Sequence, residues 1–343
     1  MPALRQDYGN LASASTTVPI ASFSVRAFRI VTLLGEFMPK IAYQGWASCY
    51  RLASGHLELI ATGDVGPRII HLSAPGGENL FAVLPEHAGL TGGDEWRIYG
   101  GHRLWHAPQA RPRSELPDNE PVKVLEAGHT LCLTQPVEAA SGIQKEITVT
   151  LDPNRPHAVV RHRLSNLGLW PVELAPWAIS AMAGEGVAIA PQSAPPAANG
   201  CRPDRLLALW PFADAADPRL RRGHRYLLLY QHPANENPFK VGLNVTEGWV
   251  AYYRRGSLFV KCFEYQEAAT YPDMGSSVEL FDCALFLEVE TLGPLVRLAP
   301  GSSVEHVEHW FVYDGVAPVH DEDAAQRIVC PLAEESLRFA GLR

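Results

Sequence analysis

The sequence has few cysteines, modest charge and no long apolar run, and each shortage removes a class of protein. Six cysteines are spread through 343 residues. Cys49, Cys132, Cys201, Cys262, Cys283 and Cys330 form no Cys-x-x-Cys pair. Zinc ribbons and disulfide scaffolds are therefore not expected, and the thiols read as reduced and mostly buried. Charged residues make up 19% of the chain, with a net charge of -8. A nucleic-acid surface needs a basic stripe, and Arg219-Leu220-Arg221-Arg222 is too short to be one. No apolar run approaches the roughly 18 residues of a membrane span. Gly92-Gly93 and Gly100-Gly101 lack the Lys-Ser/Thr and the strand–helix setting of a phosphate loop. No Gly-x-Ser-x-Gly elbow marks a serine hydrolase. The expectation is a cytoplasmic protein with no nucleic-acid partner, no membrane partner, no metal and no cofactor. Helical periodicity is scarce too, confined to 322–329 and 332–339 on either side of Pro331.

What remains is strand after strand. Leu285, Leu287 and Val289 alternate with Phe286, Glu288 and Glu290. That period of two gives one apolar face and projects both carboxylates from the other. Gly293-Pro294 ends the strand, because proline cannot donate to a ladder. A partner strand over 304–311 follows the turn at Pro300-Gly301. On pattern alone the two glutamates belong to a solvated sheet face. His306 and His309 point to opposite faces and make a poor metal pair, whereas His306 and Glu308 share a face.

Short strands over 47–52, 56–62 and 68–72 are separated by Ser54-Gly55 and by the Gly63-to-Pro67 turn. Strands resume within 122–164 and over 172–182, 225–230, 249–254, 258–265 and 278–290. Such spacing predicts an all-β sandwich or barrel rather than βαβ units. Residues 84–120 are rich in Gly, Pro and aromatics, and read as a long functional loop. Residues 191–223 read as an insertion or lid. Residues 1–40 read as a flexible extension without a secretion signal, with Met38 as an alternative start. One β domain is expected over 41–318, with a helical tail over 319–343.

His102, Arg103 and His106 lie together with Trp105 in the long loop, a cluster suited to hydroxyl or carboxylate groups. A metal set of His102, His106 and Glu288 has no supporting spacing. Arg68, after Gly66-Pro67, is either a substrate ligand or an ion-pair partner. Lys240 and Lys261 read as surface or cleft-edge charges, and Tyr271-Pro272-Asp273 as a structural turn.

Three stretches carry a family likeness. Arg97 to Trp105 reads Arg-Ile-Tyr-Gly-Gly-His-Arg-Leu-Trp, and its Ile98-Tyr99-Gly100-Gly101 is similar to the Trp-Gly-Gly loop of hexose-6-phosphate epimerases. Val172-Glu173-Leu174-Ala175-Pro176-Trp177 is similar to a mutarotase strand that ends in Asn-His. Leu287-Glu288-Val289-Glu290, with Leu298-Ala299-Pro300-Gly301 after it, is similar to the Leu-Glu-Thr-Gln strand and Leu-x-Pro-Gly turn. Over 43–315 the chain thus resembles the galactose mutarotase-like (aldose 1-epimerase-like) superfamily. The resemblance implies an antiparallel β-supersandwich with a sugar cleft on a concave face, and a small-molecule carbohydrate as partner. A homodimer is one assembly it allows. It puts the general base on Glu288, with Glu290 beside it to raise the pKa. Anomerisation also needs an acid at the ring oxygen. The mutarotase histidine acid falls on Trp177, so His102 or His106 would have to supply the proton. Arg68, Tyr99, Arg103, Trp105, Trp177 and Glu290 would bind the sugar, with Trp177 stacking on a pyranose face. Three activities follow: an epimerase or mutarotase, a lyase or glycoside-processing enzyme on the same fold, and a non-catalytic sugar-binding protein.

Overall fold

Period-two patterning builds the molecule. The computed structural model describes residues 39–192 and 205–343. Residues 1–38 of the expected extension, which include Met38, and residues 193–204 of the expected insertion, which include Cys201, lie outside the described residues.

The strands pair antiparallel in two sheets. The first sheet begins with β1 (Ile41–Tyr43), β2 (Trp46–Ala53), β3 (Glu58–Thr62), β4 (Arg68–Ser73) and β5 (Gly101–Ala107). In the second, β6 (Lys123–Ala127) is the edge, followed inward by β7 (Thr130–Thr134), β8 (Ile143–Leu151) and β9 (His157–Asn166). The chain then returns to the first sheet as β10 (Val172–Ala183), beside β5. β11 (Val187–Pro191) belongs to the second sheet, β12 (Leu207–Leu209) to the first, and β13 (Leu220–Arg222) and β14 (Tyr226–Tyr230) to the second. β15 (Phe239–Leu243) is in the first; β16 (Trp249–Arg254) and β17 (Ser257–Phe263) are in the second. β18 (Val278–Asp282), β19 (Phe286–Leu292) and β20 (Val296–Leu298) complete the first sheet, and β21 (Ser303–Tyr313) the second. The centre of the first sheet runs β5-β10-β19-β18-β15.

Between the sheets, Leu104, Met182, Val241, Leu280, Leu287 and Val289 meet Leu133, Ile147, Val160, Val250, Phe259 and Trp310. Each such side chain contributes roughly 1.5–3 kcal/mol when fully buried. The outer face of the second sheet is covered by the C-terminal helix, whose Ala325, Val329, Ala333 and Leu337 pack on Ile189, Trp249, Val260 and Phe311. Asp321 caps α1 (Glu322–Ala324) by accepting from the Ala324 amide. Pro331 does not split the helical region. A π-helical turn, Ala325–Val329, leads straight into α2 (Cys330–Ala340), and the proline sits in its first turn, where its missing N–H is harmless. No helix among the described residues is long and apolar enough to cross a membrane. The five described cysteines are free thiols; Cys49 and Cys262 are buried and the other three only partly.

Two expectations are corrected. Residues 278–290 are not one strand but β18 and β19, joined by a turn in which Leu285 is 59% exposed. Residues 84–120 are not one loop, because β5 runs through them and is buried along its whole length.

Candidate functional site

Gly100 and Gly101 set up β5. Both have positive φ, and a Cβ on Gly100 would lie 2.1 Å from the Ala82 carbonyl oxygen, one on Gly101 2.3 Å from that of Ile69. Only glycine lets the chain pass so close, and it does so at no steric cost. Beyond them β5 alternates. Arg103 and Trp105 face away from the second sheet, while His102, Leu104 and His106 face the other way.

Cross-strand register then gathers one set of side chains on that outer face. Arg103 stands opposite Ile179, which stands opposite Glu290, itself opposite Glu279. In the next row Ala181 is opposite Glu288, Glu288 opposite Phe281, and Phe281 opposite Lys240. The small Ala181 leaves Arg103 room to reach across β10, where its Nη1 donates to Glu288 Oε1 at 2.8 Å. Lys240 Nζ lies 2.7 Å from Glu279 and 3.0 Å from Glu290. Trp177 donates its indole N–H to Glu290 at 2.6 Å. Arg103 covers one face of Trp105 at 4.7 Å, and Lys240 sits over Trp177 at 4.5 Å and Trp210 at 4.8 Å.

Above this layer is a cavity of about 400 Å³, lined among others by Arg103, Trp105, Trp177, Lys240 and Glu288. That size suits a small organic ligand. Burial holds the Glu288 carboxyl above the ordinary glutamate range; Arg103 pulls it down and Glu290 pushes it up. Burial raises Glu279 strongly, against the pull of Lys240. Burial also works against the Lys240 charge, but Glu290 and Glu279 outweigh it, so its pKa is raised. The glutamates of β19 are therefore not on a solvated face: Glu288 is 6% exposed and Glu290 fully buried.

The candidate residues separate into two groups. Arg103, Trp105, Trp177 and Glu288 come together around the cavity, and Glu290 lies beneath it. His102 and His106 do not join them. They are on a strand rather than in a loop, and its pleat turns them inward. His102 Nδ1 meets Ser180 Oγ at 2.8 Å and its Nε2 meets His162 Nε2 at 2.7 Å. Arg68 donates to Asp118 at 2.6 Å and to the Gly100 carbonyl at 2.7 Å, and lies over the Tyr99 ring. Tyr99 is fully buried and donates to Asn119. Neither Arg68 nor Tyr99 lines the cavity; both fix the loop beside it. Trp177 is 2% exposed, capped by Lys240 and tied to Glu290, so it is a wall rather than a stacking platform.

Lys240, read as a surface or cleft-edge charge, is buried at the wall of the cavity, and its partner Glu279 was not singled out. The signal was the one that marked Glu288 and Glu290: a charge flanked by apolar neighbours in a strand, Phe239-Lys240-Val241 and Val278-Glu279-Leu280. Lys261 is not a surface charge. It is fully buried between the sheets, 2.9 Å from Glu308. His102, His162 and Glu308 bring one ligand atom each within 4.8 Å of one another. The Lys261 ammonium already neutralises that carboxylate, and a dication beside it would be repelled. The set of His102, His106 and Glu288 is divided between the two faces of the sheet.

The inward histidine has a testable signature. Burial, then Lys145, pushes the His106 pKa from 6.5 down to about 3. The unfolded chain therefore takes up a proton below about pH 6.5 that the folded protein refuses. This stability term falls as pH drops through 6.5 and levels off near 3. In urea unfolding, His106→Leu should gain on the wild type by about 2 kcal/mol between pH 8 and about pH 5. An unchanged difference would mean that the ring is solvated.

No protein-family model matches the sequence, and no curated protein does. Solved structures do match. The chain is similar to a protein from Synechocystis sp. PCC 6803, at 13% identity over 81% of this chain and 100% of that one, with a TM-score of 0.50. It is similar to a protein from Salmonella typhimurium provisionally described as a mutarotase, at 9% identity over 78% and 90%, with a TM-score of 0.51. It also resembles a TPR-domain containing protein from Parabacteroides distasonis, at 14% identity over 79% of this chain and 48% of that one, with a TM-score of 0.51. At these identities the likeness is one of architecture, and the architecture is the galactose mutarotase-like β-sandwich.

Proposed function

We propose that this protein binds a neutral sugar in the 400 Å³ cavity and anomerises it in the manner of an aldose epimerase, with Glu288 as general base. The observation that carries the proposal is the position of Glu288: a buried carboxylate with a raised pKa on the wall of an aromatic-lined cavity. Glu288 accepts the proton of the anomeric hydroxyl, and Arg103 holds it in place. Lys240, kept charged by Glu279 and Glu290, is the cationic donor facing the same space. As the C1–O5 bond breaks, Lys240 gives a proton to the ring oxygen, and it takes that proton back when the ring closes on the other face.

A neutral ligand follows from charge. Arg103, Lys240 and Arg111 line the cavity, and each is already paired with a carboxylate: Glu288, Glu279 with Glu290, and Glu115. A phosphate or uronate would have to compete with those carboxylates for the cations. In thermal-shift titrations neutral aldoses should stabilise the protein, and sugar phosphates and uronates should not. Stabilisation by phosphates alone would overturn the neutral assignment. The fold's occurrence in a protein provisionally described as a mutarotase supports the reaction class. A non-catalytic sugar-binding protein is the second reading. It is favoured by the 2.8 Å Arg103–Glu288 pair, which a working base has to loosen. Polarimetry on a freshly dissolved anomer of the best-binding sugar separates the two.

A further inference from the structure

We propose that the cleft has an outer subsite, built by Trp96 and Phe212, that takes a second sugar ring. The inference rests on the sugar reading of the same cavity. Its starting point is which aromatic faces are free. Trp105 and Trp177 are 6% and 2% exposed, and Arg103 and Lys240 cover them. Trp210 carries Lys240 as well. These rings shape the inner end but offer little face to a ligand. Trp96 and Phe212 line the same cavity and are 38% and 49% exposed. They come from two separate connections, one before β5 and one after β12.

Large aromatic surface left in water is unfavourable, and its clustering at the mouth of a cavity points to a ligand. Trp96 is braced edge-on by Trp105, with ring centroids 5.8 Å apart, so it is held rather than swinging. Polar groups stand beside it. Arg111 Nε donates to Glu115 at 2.6 Å and Gln109 donates to the same carboxylate at 2.7 Å, and all three line the cavity. An apolar face next to an amide, a guanidinium and a carboxylate matches a pyranose, which has a C–H face and an equatorial rim of hydroxyls. A single hexose at Glu288 would leave this outer part of the space unfilled. With the reducing-end C1 hydroxyl at Glu288, the second ring is attached through another position of the first.

The test is calorimetric titration with glucose and galactose against maltose, cellobiose and lactose. At least one disaccharide should bind about tenfold tighter than the monosaccharide that forms its reducing end. Trp96→Ala and Phe212→Ala should each remove most of that gain, while leaving monosaccharide affinity within about twofold. Both side chains are exposed, so both variants should fold, and circular dichroism checks that they do. Monosaccharide binding with no disaccharide gain, or a gain that survives both substitutions, overturns the outer subsite and leaves the Glu288 cavity standing. Binding of no sugar at all overturns both.

Discussion

Glu288→Gln is expected to lower anomerisation by roughly 10²–10⁴-fold, the usual contribution of a positioned general base. Sugar affinity should stay within a few-fold of the wild type. Glutamine is the informative replacement because it fills the same volume and its amide oxygen can still accept the Arg103 N–H that Glu288 accepts at 2.8 Å. The basicity is lost, and with it the negative charge opposite Arg103. The wild-type rate should also carry the carboxyl's signature. Burial raises the Glu288 pKa, so the base form is populated only above that raised value. The rate should fall as pH drops through it, at a pH above the ordinary glutamate value of 4.5. Glu288→Gln should flatten that limb. Polarimetry of both proteins across pH gives the result. A variant as fast as the wild type would remove Glu288 from the chemistry and leave the cleft as a binding site. A variant that loses both rate and affinity would mean that the Arg103–Glu288 pair holds the cleft open rather than acting in it.

How much of this site was legible depended on whether strands have two different faces. Glu288 and Glu290 stood out because Leu287 and Val289 mark the opposite face as core, and the pleat then places both carboxylates together. The same logic recovered most strands between 122 and 313. It failed on β5. There Gly-His-Arg-Leu-Trp-His-Ala is buried on both faces, so no apolar–polar alternation exists, and the Gly- and Pro-rich flanks read as loop. Once that strand was missed, His102 and His106 could not be told from Arg103 and Trp105. The error about Trp177 has another origin. Trp177 does line the cavity, but the cation over its ring comes from β15, three strands away along the sheet. Pairings between residues far apart in the chain, such as Arg103 with Glu288 and Lys261 with Glu308, are fixed by register and carry no local signal.

The interior pair supports the largest expected stability effect. Lys261→Met should destabilise the protein by roughly 3–5 kcal/mol, because it leaves a carboxylate buried without its countercharge. Glu308 is fully buried. Burial alone would raise its pKa, but Lys261, His162 and His306 bring it down to about 2. It accepts from Lys261 at 2.9 Å, Thr291 at 2.5 Å and Trp310 at 2.7 Å. Lys261 also donates to the Val289 carbonyl at 3.1 Å and the Ala178 carbonyl at 3.4 Å. These belong to β19 and β10, on the side of the sheet opposite Glu288, Glu290 and Trp177. Methionine keeps the stem's packing and removes only the charge. Adding Glu308→Gln to it should recover much of the loss, since two neutral groups need no countercharge. The sign of the pH effect is fixed as well. A depressed folded pKa gives Glu308 a stabilising term that is present above its unfolded value of 4.5 and is lost as pH falls towards 2. The double variant should lack that term. For a protein of this size the single substitution should lower Tm by on the order of 10 °C, and urea unfolding gives the free energy directly. A loss below about 1 kcal/mol would mean that water reaches the pair and that the two sheets are not bridged there.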